Sequence, residues 1–218
     1  MKNKKGKLSV VLLSGGLDSA TVLYLAKAKG YRCCCLIFDY GQLHKKEIYQ
    51  AVKIAKAAGC VYKILKITFP WKGSALLDRK IKISEKIMRR APATYVPARN
   101  IIFLSFAASF AETIGAKAVF IGAHSQDYSG YPDCRRKFLN IFNKMVQAGT
   151  YAGPKILAPL LRKNKSQIIS MGRKLGVHFA LTWSCYRGGK TPCAKCDSCY
   201  YRAKGFKEAG LVDPLMKR

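Results

Sequence analysis

The chain has 218 residues, half of them apolar, which is enough to bury a full hydrophobic core. It carries 40 basic and 11 acidic residues, and the formal net charge of +29 predicts attraction to polyanions. No apolar run approaches the roughly 20 residues of a transmembrane helix, and no signal-peptide core follows the basic segment 1–7. We therefore expect one cytoplasmic domain over 1–218 without a membrane partner.

The positive charge has two interpretations. RNA and other polyanions attract a chain of this charge, but its lysines are spread along the sequence rather than gathered into one arm or stripe. A nucleic-acid partner and a merely solvated basic surface both fit the composition. Nine cysteines without a secretion signal favour a reducing compartment, where cysteines serve metals, packing or catalysis rather than disulfides.

The first predicted element is a short strand that runs directly into a glycine-rich turn. Apolar residues occupy 8–13, a helical stretch covers 20–29, and between them lies the turn Ser14-Gly15-Gly16-Leu17-Asp18-Ser19. Two glycines allow the backbone to approach an anion, and the N–H groups of the first helical turn point at it. The sequence therefore predicts a phosphate-binding loop.

The rest of the chain alternates between apolar runs and segments with helical spacing. Predicted strands cover 9–13, 33–38, 64–68 and 118–122, and the predicted helices between them cover 20–29, 45–58 and 99–114. This alternation indicates an α/β fold, a Rossmann-like open parallel sheet with helices on both faces. Ligands of such sheets bind beyond the carboxyl ends of the strands, where the glycine turn emerges. Two further helices are predicted at 134–147 and 165–175.

Four cysteines near the end of the chain have the spacing of a metal site. Cys185, Cys193, Cys196 and Cys199 can surround one ion, because a Cys-x-x-Cys turn brings two thiolates together. Four protein ligands leave no open position, so the metal has a structural role. We predict a small C-terminal zinc knuckle at 180–205, with one Zn²⁺ per chain. An iron–sulfur cluster is the alternative that this spacing leaves open.

Several motifs together point to a known family. The glycine turn resembles the pyrophosphate loop of enzymes that cleave ATP between its α and β phosphates, and no Walker lysine motif is present. Segment 38–42 with His44 and Glu47, segment 96–100 and segment 130–135 resemble those of the 7-cyano-7-deazaguanine synthase family. The four-cysteine spacing matches that family too, so the resemblance extends from residue 10 to residue 205.

The resemblance implies an ATP-dependent conversion of 7-carboxy-7-deazaguanine and ammonia into 7-cyano-7-deazaguanine, a precursor of queuosine and archaeosine. Adenylation gives the carboxylate a leaving group, and ammonia then forms the amide. Activation of the amide oxygen in the same way allows elimination to the nitrile. Mg²⁺ is expected with the ATP, because it neutralises the triphosphate.

The resemblance also implies roles for individual residues. Lys165 and Asp127 are the candidate catalytic residues, although a surface position for the lysine stays open. The expected substrate contacts are Tyr131, Asp133, Arg135, His44 and Glu47, against the alternatives of a plain turn at 130–135 and a structural histidine. The expected ATP contacts are Leu12, Leu13, Ser14, Gly15, Gly16, Leu17, Asp18, Ser19, Ala20, Thr21, Val22 and Arg99.

Two other functions fit parts of the sequence. A tRNA-modifying enzyme that adenylates a base would account for the positive charge, and it predicts salt-sensitive tRNA binding. A zinc-knuckle RNA-binding module without catalysis would leave the glycine turn unexplained. The sequence is also compatible with a homodimer.

Overall fold

The computed structural model describes residues 6–83, 92–124 and 130–216, and its centre is a five-stranded parallel sheet. The strands lie in the order β3-β2-β1-β4-β5. Their bounds are β1 Leu8–Leu12, β2 Arg32–Asp39, β3 Val61–Lys66, β4 Ala118–Phe120 and β5 Lys155–Leu157. The predicted open parallel sheet is therefore confirmed, with the strand that precedes the glycine turn at its centre.

Helices cover both faces of the sheet, as the sequence predicts. On one face, alternate β1 side chains such as Val11 pack with α1, α2, α5 and α6, and on the other face Val10 and Leu12 pack with α3 and α4. Alternate residues of a strand point to opposite faces, so both faces need apolar residues when both are covered. The bounds are α1 Leu17–Ala28, α2 Lys46–Ala57, α3 Arg99–Thr113, α4 Arg136–Gly149, α5 Lys165–Lys174 and α6 Asp197–Glu208.

The structure differs from the predicted elements at the edges of the sheet. Strand β3 starts at Val61, three residues earlier than predicted, and most of its side chains are exposed because it is an edge strand. A search for buried apolar runs is insensitive to such a strand. Strand β5 has only three residues, and it and α6 were not predicted.

A search of the described residues finds no helix that is both long and apolar enough to cross a membrane. The longest helix is α3, with 15 residues.

Leu23 tests the packing of α1 against the sheet, because its side chain is fully buried. We expect Leu23→Ala to lower the free energy of unfolding by about 2–5 kcal/mol, through lost apolar burial and the cavity left behind. Urea denaturation measures the change. The control is Tyr49→Ala on α2, whose side chain is 68% exposed and should change stability by no more than about 0.5 kcal/mol. Equal losses in both variants would contradict the assigned packing.

Candidate active site

A cavity of about 250 Å³ lies at the carboxyl ends of β1, β2 and β4. This is the edge where ligands of open parallel sheets bind. Its lining includes the glycine turn, the ends of the neighbouring strands, the starts of α2 and α3, and the C-terminal part of the chain. The polar and aromatic side chains of this lining include Ser14, Asp18, Tyr40, Glu47, Arg99, His124, Tyr131, Trp183 and Tyr186.

The glycine turn is held tightly between two other parts of the chain. Gly15 has a φ of +87°, and a Cβ atom there would lie 2.3 Å from the carbonyl oxygen of Glu47 in α2. Its own carbonyl accepts a hydrogen bond of 2.8 Å from the backbone N–H of Trp183. Both the backbone conformation and the lack of space therefore require glycine at this position.

Two serine side chains fix the shape of the turn. The backbone N–H of Ser14 donates to Oγ of Ser19 at 3.2 Å, and that hydroxyl donates to the carbonyl of Gly16 at 3.1 Å. Helix α1 begins at Leu17, so the N–H groups of its first turn lie beside the cavity. A helix start of this kind favours an anion.

The other predicted ATP contacts divide into two groups. Leu12 and Leu13 line the cavity at the end of β1. Ala20, Thr21 and Val22 are fully buried in α1, and the hydroxyl of Thr21 donates to the carbonyl of Leu17 at 2.8 Å. These three residues support the loop from behind.

Asp18, Lys165 and His124 form a compact charged cluster at the cavity. The ammonium of Lys165 lies 2.9 Å from each carboxylate oxygen of Asp18 and 3.0 Å from Nε2 of His124. Burial alone would raise the pKa of Asp18, but Lys165 and His124 outweigh burial and hold this pKa well below its ordinary value. Asp18 and His124 line the cavity, whereas Lys165 lies behind them.

The local sequence explains why Lys165 can reach this position. It is the first residue of α5, whose start is fixed by reciprocal hydrogen bonds between Asn164 and Gln167. Its side-chain stem passes α6 at Gly205, where a Cβ atom would lie 2.5 Å from Cγ of Lys165. Lys165 is therefore buried, so the interpretation as a surface lysine is wrong.

Arg99, Glu47 and Tyr131 also line the cavity. Arg99 begins α3, and its guanidinium lies 5.8 Å from the centre of the Tyr40 ring. The hydroxyl groups of Tyr131 and Thr94 lie 2.9 Å apart. Burial raises the pKa of Glu47 to about 7, the nearby Cys185 adds to this rise, and Arg99 opposes it.

The remaining predicted substrate residues do not line the cavity. His44 packs against Gly188, where a Cβ atom would lie 2.3 Å from Cβ of the histidine. Asp133 accepts a hydrogen bond of 2.9 Å from the backbone N–H of Asn100 and so caps the start of α3. Arg135 is exposed just before α4. Asp127 lies outside the described residues.

The four predicted metal ligands come together in the structure. One sulfur atom from each of Cys185, Cys193, Cys196 and Cys199 lies within 4.8 Å of all the others. Sulfurs around a tetrahedral zinc with bonds of about 2.3 Å would be about 3.8 Å apart, and those of Cys193 and Cys199 are 3.9 Å apart. Backbone N–H groups of Cys193 and Cys196 donate to two of the sulfurs. The donor set therefore fits one thiolate-bound metal ion.

This cysteine knuckle, residues 185–199, is attached to the cavity. The ammonium of Lys46 lies 3.6 Å from the centre of the Trp183 ring and donates to the carbonyls of Gly189 and Lys190. The indole N–H of Trp183 donates to the carbonyl of Cys185 at 2.8 Å. The segment that binds the glycine turn is thus joined directly to the metal-binding segment.

Sequence reasoning missed several residues of the site. His124 lies a few residues after the end of β4, at the edge of the sheet where ligands of this fold bind, and its place after a predicted strand could have indicated it. Tyr40 lies in the segment 38–42 that was quoted for the family resemblance. Trp183 and Tyr186 flank Cys185, and no local pattern connects them with the glycine turn.

The architecture is that of a Rossmann-like α/β protein, with its glycine turn at the carboxyl ends of the sheet strands. The model of the family described as "Queuosine biosynthesis protein QueC" matches residues 8–210. The chain therefore belongs to the QueC family.

Two relatives show how far the similarity extends. A protein from Clostridium kluyveri is 51% identical over 219 residues, which covers 96% of this chain and 97% of the relative. A protein from Thermoplasma acidophilum is 48% identical over 217 residues, with 96% and 91% covered. Both relatives are named 7-cyano-7-deazaguanine synthase.

Solved structures show the same fold at low sequence identity. The NMN synthetase of Francisella tularensis has a TM-score of 0.55 at 16% identity, with 96% of this chain and 80% of that one covered. The U34-tRNA thiolase NcsA of Methanococcus maripaludis, which holds a [4Fe-4S] cluster, has a TM-score of 0.51 at 18% identity, with 95% and 68% covered. At this identity the likeness concerns the fold alone.

The raised pKa of Glu47 makes stability depend on pH. The folded chain binds this proton more tightly than the unfolded chain, so the cost of the buried charge is absent below the ordinary glutamate pKa and complete above about 7. We expect Glu47→Gln to stabilise the protein at about pH 8 relative to wild type, and much less at about pH 5. Urea denaturation at both values measures this difference.

The control for this pH effect is Glu208→Gln on α6, because the Glu208 side chain is 47% exposed and pairs with Lys204 at the surface. Its effect on stability should be equally small at both pH values. A stabilisation by Glu47→Gln that is the same at both values would show that its cause is not the charge.

Proposed function

We propose that this chain catalyses the ATP-dependent conversion of 7-carboxy-7-deazaguanine and ammonia into 7-cyano-7-deazaguanine. Membership of the QueC family supports the product, because the two relatives described above carry the name of that synthase. The observation that carries the proposal is the meeting of a glycine turn suited to an anion and a partly aromatic cavity at one sheet edge. Such a cavity suits a flat heterocycle next to a nucleotide.

The chemistry needs an activated carboxylate, because a carboxylate is negatively charged and its oxygen leaves poorly. Transfer of AMP from ATP onto this oxygen releases pyrophosphate and creates a good leaving group. Ammonia then displaces AMP to give the amide. A second ATP activates the amide oxygen, and loss of AMP with two N–H protons gives the nitrile. Mg²⁺ bound with the ATP supplies charge neutralisation at the phosphates.

We assign the phosphates of ATP to the glycine turn and to the start of α1. The N–H groups there and the hydroxyls of Ser14 and Ser19 offer hydrogen-bond donors to an anion. Lys165 acts through Asp18 and His124, since it bonds to both and both line the cavity. Asp127 is retained as a second candidate catalytic residue on the family resemblance alone.

We assign the deazapurine to the part of the cavity near Arg99 and Tyr131. A guanidinium beside aromatic rings suits a planar ring that carries a carboxylate. Glu47 lines the same cavity beside the glycine turn and is retained as a substrate contact, with the nitrogen donor rather than with the deazapurine. Positioning roles, rather than direct contact, fit His44, Asp133 and Arg135, because they lie outside the cavity lining.

We propose zinc for the cysteine knuckle, where Cys185, Cys193, Cys196 and Cys199 would hold it. Four sulfurs near tetrahedral spacing support zinc, and an iron–sulfur cluster is the alternative. Three further points stay predictions. They are ammonia as the nitrogen donor, a single functional domain over 1–218 with a metal-binding subregion at 180–205, and a homodimer. A nucleic-acid partner is not required by this function.

The function is tested with purified protein, ATP, Mg²⁺, an ammonium salt and 7-carboxy-7-deazaguanine. We expect the nitrile, AMP and pyrophosphate, identified by mass spectrometry, because the cavity and loop suit adenylation. We also expect Gly15→Ala to abolish the reaction, since its new Cβ would meet the carbonyl of Glu47. Consumption of ATP only after addition of tRNA, without nitrile, would instead identify a tRNA-modifying enzyme.

The control for Gly15→Ala is Gly59→Ala at the end of α2. Gly59 also has a positive φ, of +63°, but nothing lies within 4 Å of the position of its Cβ. It therefore reports the backbone strain alone, and its activity should stay within a few-fold of wild type. Equal inactivation of both variants would mean that strain, not the shape of the loop, explains the loss.

The metal proposal predicts one zinc per chain in the purified protein, measured by elemental analysis. We expect Cys196→Ser to lose the zinc and most of the stability that the site provides, because one ligand of four is replaced. The control Cys60→Ser should retain the metal, since this cysteine lies outside the cluster. Visible absorbance together with stoichiometric iron would show that the site holds an iron–sulfur cluster instead of zinc.

A further inference from the structure

The cavity has an uneven distribution of negative charge. Two acidic residues line it among the described residues, Asp18 and Glu47, in a chain with only 11 acidic residues in total. Both oxygens of Asp18 are bound by the ammonium of Lys165 at 2.9 Å. Its charge is therefore already compensated within the protein.

The Glu47 carboxylate, unlike that of Asp18, has no close charged partner among the described residues. No hydrogen bond or ion pair to its carboxylate is found within the described part of the chain. The charged or titratable groups that face it are Arg99 on α3, Tyr40 after β2 and Cys185 in the knuckle. A carboxylate that is kept at a cavity surface without a close partner can accept hydrogen bonds from a ligand.

The position of Glu47 relates it to the reacting group. Its own backbone carbonyl is the atom that prevents a side chain at Gly15, so Glu47 lies directly beside the glycine turn. Under the proposed function, this turn holds the phosphates of ATP, and the acyl–phosphate bond forms next to them. Glu47 therefore lies close to the place where that bond forms.

The nitrogen donor needs such a group. Ammonia is present at neutral pH mainly as ammonium, a cation that a chain of charge +29 repels. Ammonium has no lone pair and cannot attack, so it must bind to a negative group and lose a proton first. Asp18 is compensated by Lys165, which leaves Glu47 among the described residues that line the cavity.

We propose that Glu47 receives the ammonium ion in the cavity and accepts its proton, so that ammonia attacks the activated carboxyl group. The proton passes from ammonium to the Glu47 carboxylate, and the lone pair of nitrogen forms the C–N bond. The C–O bond to AMP breaks, and AMP leaves with its electron pair. The second proton, released as the amide forms, leaves to solvent, as does the proton held by Glu47. This inference rests on the proposed function.

The test separates adenylation from nitrogen transfer in Glu47→Gln. Exchange of labelled pyrophosphate into ATP, with 7-carboxy-7-deazaguanine and without ammonium, reports adenylation alone and should stay within a few-fold of wild type. The value of kcat/KM for ammonium should fall about 10²-fold or more, the usual loss when a general base is removed. Glu208→Gln is the matched surface control and should leave both values unchanged.

A second nucleophile identifies the step. Hydroxylamine is mainly unprotonated at neutral pH, so it does not need a proton acceptor before it attacks. With hydroxylamine, Glu47→Gln should lose less than about tenfold of its rate, against about 10²-fold with ammonium. Glu47→Asp keeps the charge on a shorter side chain, and we expect normal exchange with a raised KM for ammonium.

Three results would overturn the proposal. Loss of exchange in Glu47→Gln, or a raised KM for 7-carboxy-7-deazaguanine, would show that Glu47 positions Arg99 or contacts the deazapurine instead. Equal losses with ammonium and hydroxylamine would exclude a role in deprotonation, and normal kinetics with ammonium would exclude any role. Absence of both exchange and nitrile in the wild-type protein would count against the proposed function itself.

Discussion

The close contact around Gly15 is the constraint on which the site depends. On one side its missing Cβ leaves room for the carbonyl of Glu47 in α2, and on the other its carbonyl binds the N–H of Trp183. The loop is therefore held between parts of the chain that are far apart in sequence. An anion-binding loop that is fixed before the ligand arrives loses little conformational entropy on binding.

The same contact makes the cysteine knuckle part of the active site without any chemistry at the metal. Trp183 binds the glycine turn through its backbone, and its indole N–H binds the carbonyl of Cys185. Lys46 adds a link between α2 and the carbonyls of Gly189 and Lys190. A metal ion bound by the four cysteines would therefore also hold one side of the cavity, where Trp183 and Tyr186 lie.

The sequence could predict those features that local patterns encode. The glycine turn, the alternation of strands and helices, and the four cysteines each follow from spacing within a short segment, and the structure contains all three. The sides of the cavity come from segments that only folding brings together, so His124 and Trp183 were not predicted. The motif around Asp133 could not show that one of its carboxylate oxygens accepts a hydrogen bond from the backbone N–H of Asn100 at the start of α3.

The two carboxylates of the cavity show how one site can serve opposite electrostatic needs. Under the proposed function, ATP and a carboxylate substrate require positive groups, which the start of α1 and Arg99 would supply. Lys165 and His124 hold the pKa of Asp18 below its ordinary value, and Lys165 compensates its charge. Burial instead raises the pKa of Glu47 to about 7. Environments that move two pKa values apart commonly separate two roles. Here they leave one carboxylate as a fixed part of the loop and the other available to exchange a proton.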